Sequence, residues 1–376
     1  MRVACSRFHV CGITDRDGKS DVETAKPKMR KHSLPKTMFL LIICLFFSLV
    51  SATAQEDEND GLSLTPDDSR EKEYIFSVAW SPDGEKVATG GINHVVRIWD
   101  ASNNQIVHTL REHDAEVLSL AWSPDGTRIA SGGADGKIII WDASSTQILT
   151  SIRLVAVEPI LSAVTSVSWS PDSTRIAAAG ERRLVRIFDA NTGQELPSFQ
   201  DHIAPVRTVA WSPDGDYLAA GSWDETISIW SVTKEHLVFS IFAENSYGIN
   251  SVSWSPSGNQ IASGSSDCQV RIWDPFTGQL LSQLQGHTGT VWSLTWNPDG
   301  TQLASASSDG TIRIWNTSSL QQISRINVGI AVYAVAWSPA GTRIAYGNAD
   351  GNLEIETVSE STDDPDVTVS KPGKCE

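Results

Sequence analysis

Apolar residues along most of this chain come in short alternating runs, each cut off by a Pro-Asp-Gly, Asp-Gly or Ser-rich break. Between Glu116 and Ile152 the runs are "EVLSLAW", "TRIASGG", "KIIIWD" and "QILTSI", and the breaks are "SPDG", "ADG" and "ASST". A period of two rich in β-branched residues predicts strands. Pro presets φ at the breaks and Gly accepts positive φ, so the breaks are hairpin turns. Strands joined by tight turns pair antiparallel, and the stretch reads as a four-stranded meander.

The same meander is written seven times. "WSPDG" at Trp80–Gly84 returns letter for letter at Trp122–Gly126 and Trp211–Gly215, and in altered form from Trp169, Trp254, Trp296 and Trp337. These leading tryptophans are 42, 47, 42, 43, 42 and 41 residues apart. Nineteen residues after each stands a second column: Trp99, Trp141, Phe188, Trp230, Trp273, Trp315 and Glu356. Eight residues after each leading Trp is an alanine, from Ala88 to Ala345, and the residue before it is Val, Ile or Leu. Both faces of that strand therefore read as buried, one small and one large, and the small face can accept the bulky side chains of a neighbouring meander. Apolar residues five and two positions before the leading Trp, such as Val117 and Leu120, break the period of two; a β-bulge in each unit would return both to the core. Units of forty-odd residues with four strands and a Trp-Asp end describe propeller blades.

From Tyr74 to about Val358 the chain resembles the WD-repeat β-propellers. The resemblance implies an all-β fold, a single seven-bladed β-propeller of four-stranded antiparallel blades. In that family each sequence repeat supplies the outer strand of one blade and the inner three of the next. Leu62–Leu64 or Val367–Ser370 would then supply the missing outer strand; the family's habit favours Leu62–Leu64. The resemblance also implies a buried tetrad of His, Ser or Thr, Asp and Trp. Its letters match at His113, Ser131, Asp135 and Trp141 in unit two, and at His287, Ser305, Asp309 and Trp315 in unit six. Unit four has His202, Asp224 and Trp230, with Ala220 where the hydroxyl belongs. Odd-numbered units lack the His, and unit three has Arg182 and Phe188 in place of the Asp and Trp.

The ends of the chain read differently. Met38–Val50 is an uncharged apolar run that follows "MRKHSLPK" and precedes Ala52-Thr53-Ala54. Basic region, short apolar core and A-x-A site make residues 1–54 an N-terminal extension and signal peptide cut after Ala54, with Met29 as the expected true start. The run falls short of the roughly 18 residues of a membrane span; an uncleaved anchor through residues 38–54 is the alternative. Residues 55–73 are an acidic linker holding one candidate closing strand, 74–358 the propeller, and 359–376 an acidic tail. The expectation is a secreted or periplasmic protein, with no membrane insertion unless the segment stays uncleaved.

The whole chain carries a net charge of −16. Loss of residues 1–54 leaves 20 basic and 41 acidic residues, a charge of −21. Such a surface repels nucleic acid and anionic membranes. Cleavage leaves Cys268 and Cys375, either as free thiols or as one bridge.

Ser, His and Asp together invite a hydrolase reading. A buried carboxylate that accepts hydrogen bonds needs no substrate, however, and an enzyme needs one asymmetric site rather than several copies. No phosphate loop, HExxH, CxxC or G-x-S-x-G occurs in the mature chain, and the histidines have no metal-ligand spacing. The expectation is a non-enzyme without cofactor or metal: an interaction scaffold for a protein or peptide. A propeller enzyme or small-ligand binder at the central channel, or an envelope-tethered structural module, are the alternatives.

In the family the His-bearing loop and the Asp-Gly turn share one end of the barrel, and the residue four before each leading Trp opens there. Read around the ring these are Phe76, Leu118, Thr165, Arg207, Asn250, Trp292 and Tyr333. Phe76, Trp292 and Tyr333 fall in neighbouring units and suit a binding hot spot; the alternative is a plug of packed rings in the channel mouth. On the opposite side Arg182 and Arg183 of "GERRLVRIFD", with Arg207 and Trp223, predict a basic spot beside the apolar loop Arg153–Ser162 and an acidic ligand. The arginines otherwise pair with Glu158 and Glu181.

Overall fold

Every leading Trp closes a six-residue inner strand: Ile75–Trp80, Val117–Trp122, Val164–Trp169, Val206–Trp211, Ile249–Trp254, Val291–Trp296 and Val332–Trp337. A computed structural model describes residues 74–154 and 163–358. Each inner strand opens an antiparallel sheet whose strands neighbour one another in chain order. The inner strand of blade one packs against those of blades two and seven, which closes the ring. The fold is an all-β seven-bladed propeller.

Six sheets have four strands and the seventh has three among the described residues, ending with Leu353–Thr357. Leu62–Leu64 and Val367–Ser370 both lie outside the described residues, as do residues 1–73, 155–162 and 359–376. Blade three keeps only Phe199–Gln200 as its outer strand. Pro197 offers no backbone N–H to a ladder, so pairing there is reduced to one bridge from Phe188 to Glu195 and the short strand beyond. Cys268, buried in the blade-five turn, is disulfide-bonded; Cys375 lies outside the described residues.

The alanine column and the aliphatic residue before it are 0% exposed in all seven blades. One face of the second strand is small enough to admit the next blade. A side chain at Gly264 would meet Val291 Cγ1 at 2.6 Å, so the β-branched residue of the following inner strand fills that space.

The repeated turn has its reason here as well. In "SPDG" the Gly84 N–H donates to Ser81 O at 2.9 Å, and Asp83 Oδ1 accepts from the Ser81 hydroxyl and from Glu85 N. Gly84 sits at φ 72°, where glycine meets no steric penalty. A Cβ on Gly84 would lie 3.6 Å from Pro339 Cδ of the preceding blade's turn, and one on Gly126 would lie 3.8 Å from Pro82 Cδ. Each turn is thus a tile in a ring, which is why one chain needs it in every blade.

Hydroxyls stitch the inner strands together. Ser77 Oγ accepts from Leu120 N at 2.9 Å, and Ser119, Ser166, Thr208, Ser251 and Ser293 accept likewise from the next blade. Blade seven has Ala334 at this position, so the seam to blade one lacks the stitch. Other groups hold that seam. Trp80 Nε1 donates to Ala336 O at 3.1 Å, and Arg343 lies 4.9 Å above the Trp80 ring while donating to Ala101 O and Gly84 O.

Candidate functional site

The expected bulge is present in all seven blades. In blade four Val206 pairs with Ser222 and Thr208 with Gly221, so Arg207 is left over; Phe76, Leu118, Thr165, Asn250, Trp292 and Tyr333 are the residues skipped elsewhere. Released from the pleat, these seven side chains surround the mouth of the channel.

They divide into two sectors. Tyr333 stands edge-on to Phe76 at 5.8 Å and packs on Trp292 at 6.0 Å. Tyr74, which the repeat pattern did not single out, joins them, 6.3 Å from Phe76 and 6.0 Å from Tyr333. All four rings are half-buried. Burial pushes the Tyr333 hydroxyl up from its ordinary range.

The facing sector is polar. Thr165 Oγ1 donates to Val206 O at 2.6 Å, and Asn250 Nδ2 to Ser266 Oγ at 3.1 Å. The Arg207 guanidinium lies 5.0 Å above the Trp223 ring. Glu181, on the adjacent blade-three turn, has its carboxyl pushed up by burial against the pull of Arg207. Arg182 lines a cleft with Leu154, Ala163, Leu184 and Arg186, and Arg183 is exposed at φ 64°. The structure brings Arg207 and Trp223 together; it places Arg182 and Arg183 on the neighbouring turn. The two tryptophans outside the repeat columns, Trp223 and Trp292, both stand at this mouth, a signal the sequence already carried.

The tetrads form where the letters match. His113 Nδ1 lies 3.1 Å from Asp135, and its Nε2 lies 2.8 Å from Ser131 Oγ, which accepts from Trp141 Nε1 at 2.9 Å. His287 repeats this with Asp309 at 2.9 Å and Ser305 at 2.8 Å, and Trp315 Nε1 donates to Ser305 at 2.9 Å. An ionised carboxylate only accepts, so Nδ1 carries the proton and Nε2 accepts from the serine. Asp309 also accepts from Thr288 N at 3.0 Å, which pins the His-bearing loop. Ser131 and Ser305 are 0% exposed, sealed from any substrate.

Blade four shows the cost of the missing hydroxyl. His202 Nδ1 reaches Asp224 at 3.2 Å, but among the described residues its buried Nε2 has no hydrogen-bond partner, because Ala220 stands where Ser131 and Ser305 do. Ala220→Ser should supply the donor and raise stability by about 1 kcal/mol, read as a higher thermal midpoint. A lower midpoint would mean that the site has no room for the hydroxyl.

Blades without the His find other partners, which the repeat pattern alone did not reveal. In blade five Arg271 pairs with Asp267 and donates to Ser265 Oγ at 3.0 Å. In blade seven the Tyr346 hydroxyl donates to Glu356 at 2.7 Å, reversing the Trp-to-Ser bond of its siblings. Among the described residues no cluster of three or more His, Cys, Asp or Glu is placed to hold a metal ion.

A family model described as the first WD40 domain of WDHD1 matches residues 51–263, and one described as the WD domain, G-beta repeat, matches residues 278–316. The chain is similar to the general transcriptional corepressor TUP1 of Saccharomyces cerevisiae, 39% identical over 64 residues, which is 17% of this chain and 9% of that protein. It is also similar to the WD repeat-containing protein VIP3 of Arabidopsis thaliana, 31% identical over 51 residues, 14% of this chain and 16% of that protein. The matches thus cover a small part of each relative, 9% of one and 16% of the other.

Proposed function

Because this chain belongs to the WD40-repeat β-propeller family, we propose that it is a non-catalytic scaffold, exported from the cytoplasm, that holds a protein or peptide at its channel mouth. The observation that carries this reading is the sector of four half-buried rings, Tyr74, Phe76, Trp292 and Tyr333, facing a cation across the mouth. Rigid rings bury large area at low entropy cost and recur as interface anchors. Repetition supports the absence of catalysis: the Ser-His-Asp sets are copies, with their serines buried. The net charge of −16 disfavours nucleic acid, and Arg207 on Trp223 favours an acidic partner. Export rests on the signal-like residues 38–54, which lie outside the described residues. The corepressor role named for one relative stays with that protein.

The test is affinity capture from the native extracytoplasmic fraction with the parent protein and with the Phe76→Ala/Tyr333→Ala double variant. The variant should fold and lose its partner by at least about tenfold. Retention of every partner, with only a lower melting temperature, would identify the rings as a plug of the channel mouth and end the reading.

A further inference from the structure

Around blade four the same face carries side chains that the aromatic sector does not use. Arg207 stacks on Trp223, and among the described residues its guanidinium makes no hydrogen bond or ion pair. Its charged neighbour Glu181 acts on it from beyond the 4.0 Å of an ion pair. The Gly248 backbone lies against Trp223: a side chain there would meet the indole Cδ1 at 2.8 Å. Tyr247, the residue before Gly248, is 73% exposed. Ile203, also 73% exposed, is tied through its N–H to Asp224 Oδ2 at 2.8 Å, one residue along from Trp223. Two large apolar side chains this exposed, on segments that meet the turn carrying Trp223, give the stacked guanidinium the setting of a recognition site.

We infer that this group is a specificity subsite that reads a single carboxylate side chain flanked by apolar residues in a linear peptide. Arg207 takes the carboxylate; Tyr247 and Ile203 take the flanking groups. Stacking holds the planar fork ready, so less freedom is lost when two parallel N–H bonds form. Glu181 sets the limit on charge. One guanidinium beside a carboxylate, on a protein of net charge −16, tolerates one added anion and repels a run of them. The inference rests on peptide binding at this face and adds which peptide is bound.

Fluorescence anisotropy with the full chain tests it. The probes are short labelled peptides with a central aspartate between leucines, and their counterparts with central asparagine, central lysine or three consecutive aspartates. The aspartate peptide should bind tightest. Arg207→Met should weaken it by about tenfold or more, and Arg207→Lys by less, since the charge stays but the fork is lost. Glu181→Gln should tighten it about threefold and recover much of the binding of the triple-aspartate probe. Tyr247→Ala should weaken the leucine-flanked probe more than a glycine-flanked one. Equal binding of the aspartate and asparagine peptides, binding of no probe, or a lysine preference that Glu181→Gln abolishes overturns the inference. If Arg207→Met fails to fold, Arg207→Lys and Glu181→Gln carry the decision. Phe76→Ala/Tyr333→Ala separates the two readings. Uniform loss of all probes in that variant, without charge preference in the parent, leaves the face standing and removes the carboxylate subsite. A charge preference that survives it supports the subsite and removes the aromatic anchor.

Discussion

Asp309→Asn is expected to destabilise the propeller by about 3 kcal/mol, because it breaks a buried charge-assisted pair and strands the groups that depend on it. Asp309 accepts from His287, from Thr288 N and from Thr311, so one carboxylate holds a loop, a turn and a ring. Asparagine keeps the shape but points an amide N–H₂ at donors. The blade-seven residue at the same repeat position, Asp350, is exposed, and Val328 stands where the His would be; Asp350→Asn should change stability by less than about 0.5 kcal/mol. Urea denaturation of both variants decides the matter. Equal effects, or a large loss at Asp350, would show that the tetrad contributes nothing beyond the turn.

The same pairs set the acid limit. Burial alone would raise the Asp224 carboxyl, but hydrogen bonds from His202 and Thr226 bring it down to about 2. Burial lowers His287, and Asp309 is held below its ordinary range against burial by the His287 bond. A carboxylate depressed in the fold contributes stability that is complete above its unfolded pKa of about 4 and is lost as pH falls through the folded value. A histidine held neutral by burial acts in the same direction, from about pH 6.5 downward. The melting temperature should therefore fall on acidification, most steeply between about pH 4 and 2, and the Asp309→Asn variant should show a shallower fall. A midpoint unchanged from pH 5 to 3 would contradict the assignment.

Arg343→Ala is the second large effect, about 2 kcal/mol, since it removes a stacked cation and two hydrogen bonds to carbonyls across the seam. Arg343 reaches Trp80, Ala101 and Gly84 of blade one, at the junction where Ala334 leaves the hydroxyl stitch unmade. Arg175 stacks on Trp211 at 4.7 Å in the middle of the ring, flanked by intact stitches, and Arg175→Ala should cost about half as much. Guanidinium denaturation of the pair reads the difference. An Arg175→Ala loss equal to or above that of Arg343→Ala would mean that the seam is no weaker than any other blade junction.

Much of this molecule was legible in its sequence because the repeat writes local rules. Alternation and the Ser-Pro-Asp-Gly breaks specified the meanders, since strand pleat and turn φ are properties of a few consecutive residues. The Ala88 column and its aliphatic neighbours announced a strand buried on both faces, and the spacing of Val117 and Leu120 announced the bulge. Ala220, where the hydroxyl belongs, was visible in the letters, and the orphaned Nε2 of His202 is its structural consequence. What the sequence by itself could not determine lies between blades and across the closed ring. Arg343 meets Trp80, and Tyr74 meets Tyr333, only because the ends of the array are brought together. Arg271, on the strand Val270–Trp273, holds the carboxylate that a histidine holds in other blades, and Tyr346 reverses a hydrogen bond because Glu356 stands in the tryptophan column. Periodicity tells a residue which face it occupies. Which distant residue shares that face is decided by closure, where packing and hydrogen-bond satisfaction select among side chains that no local pattern relates.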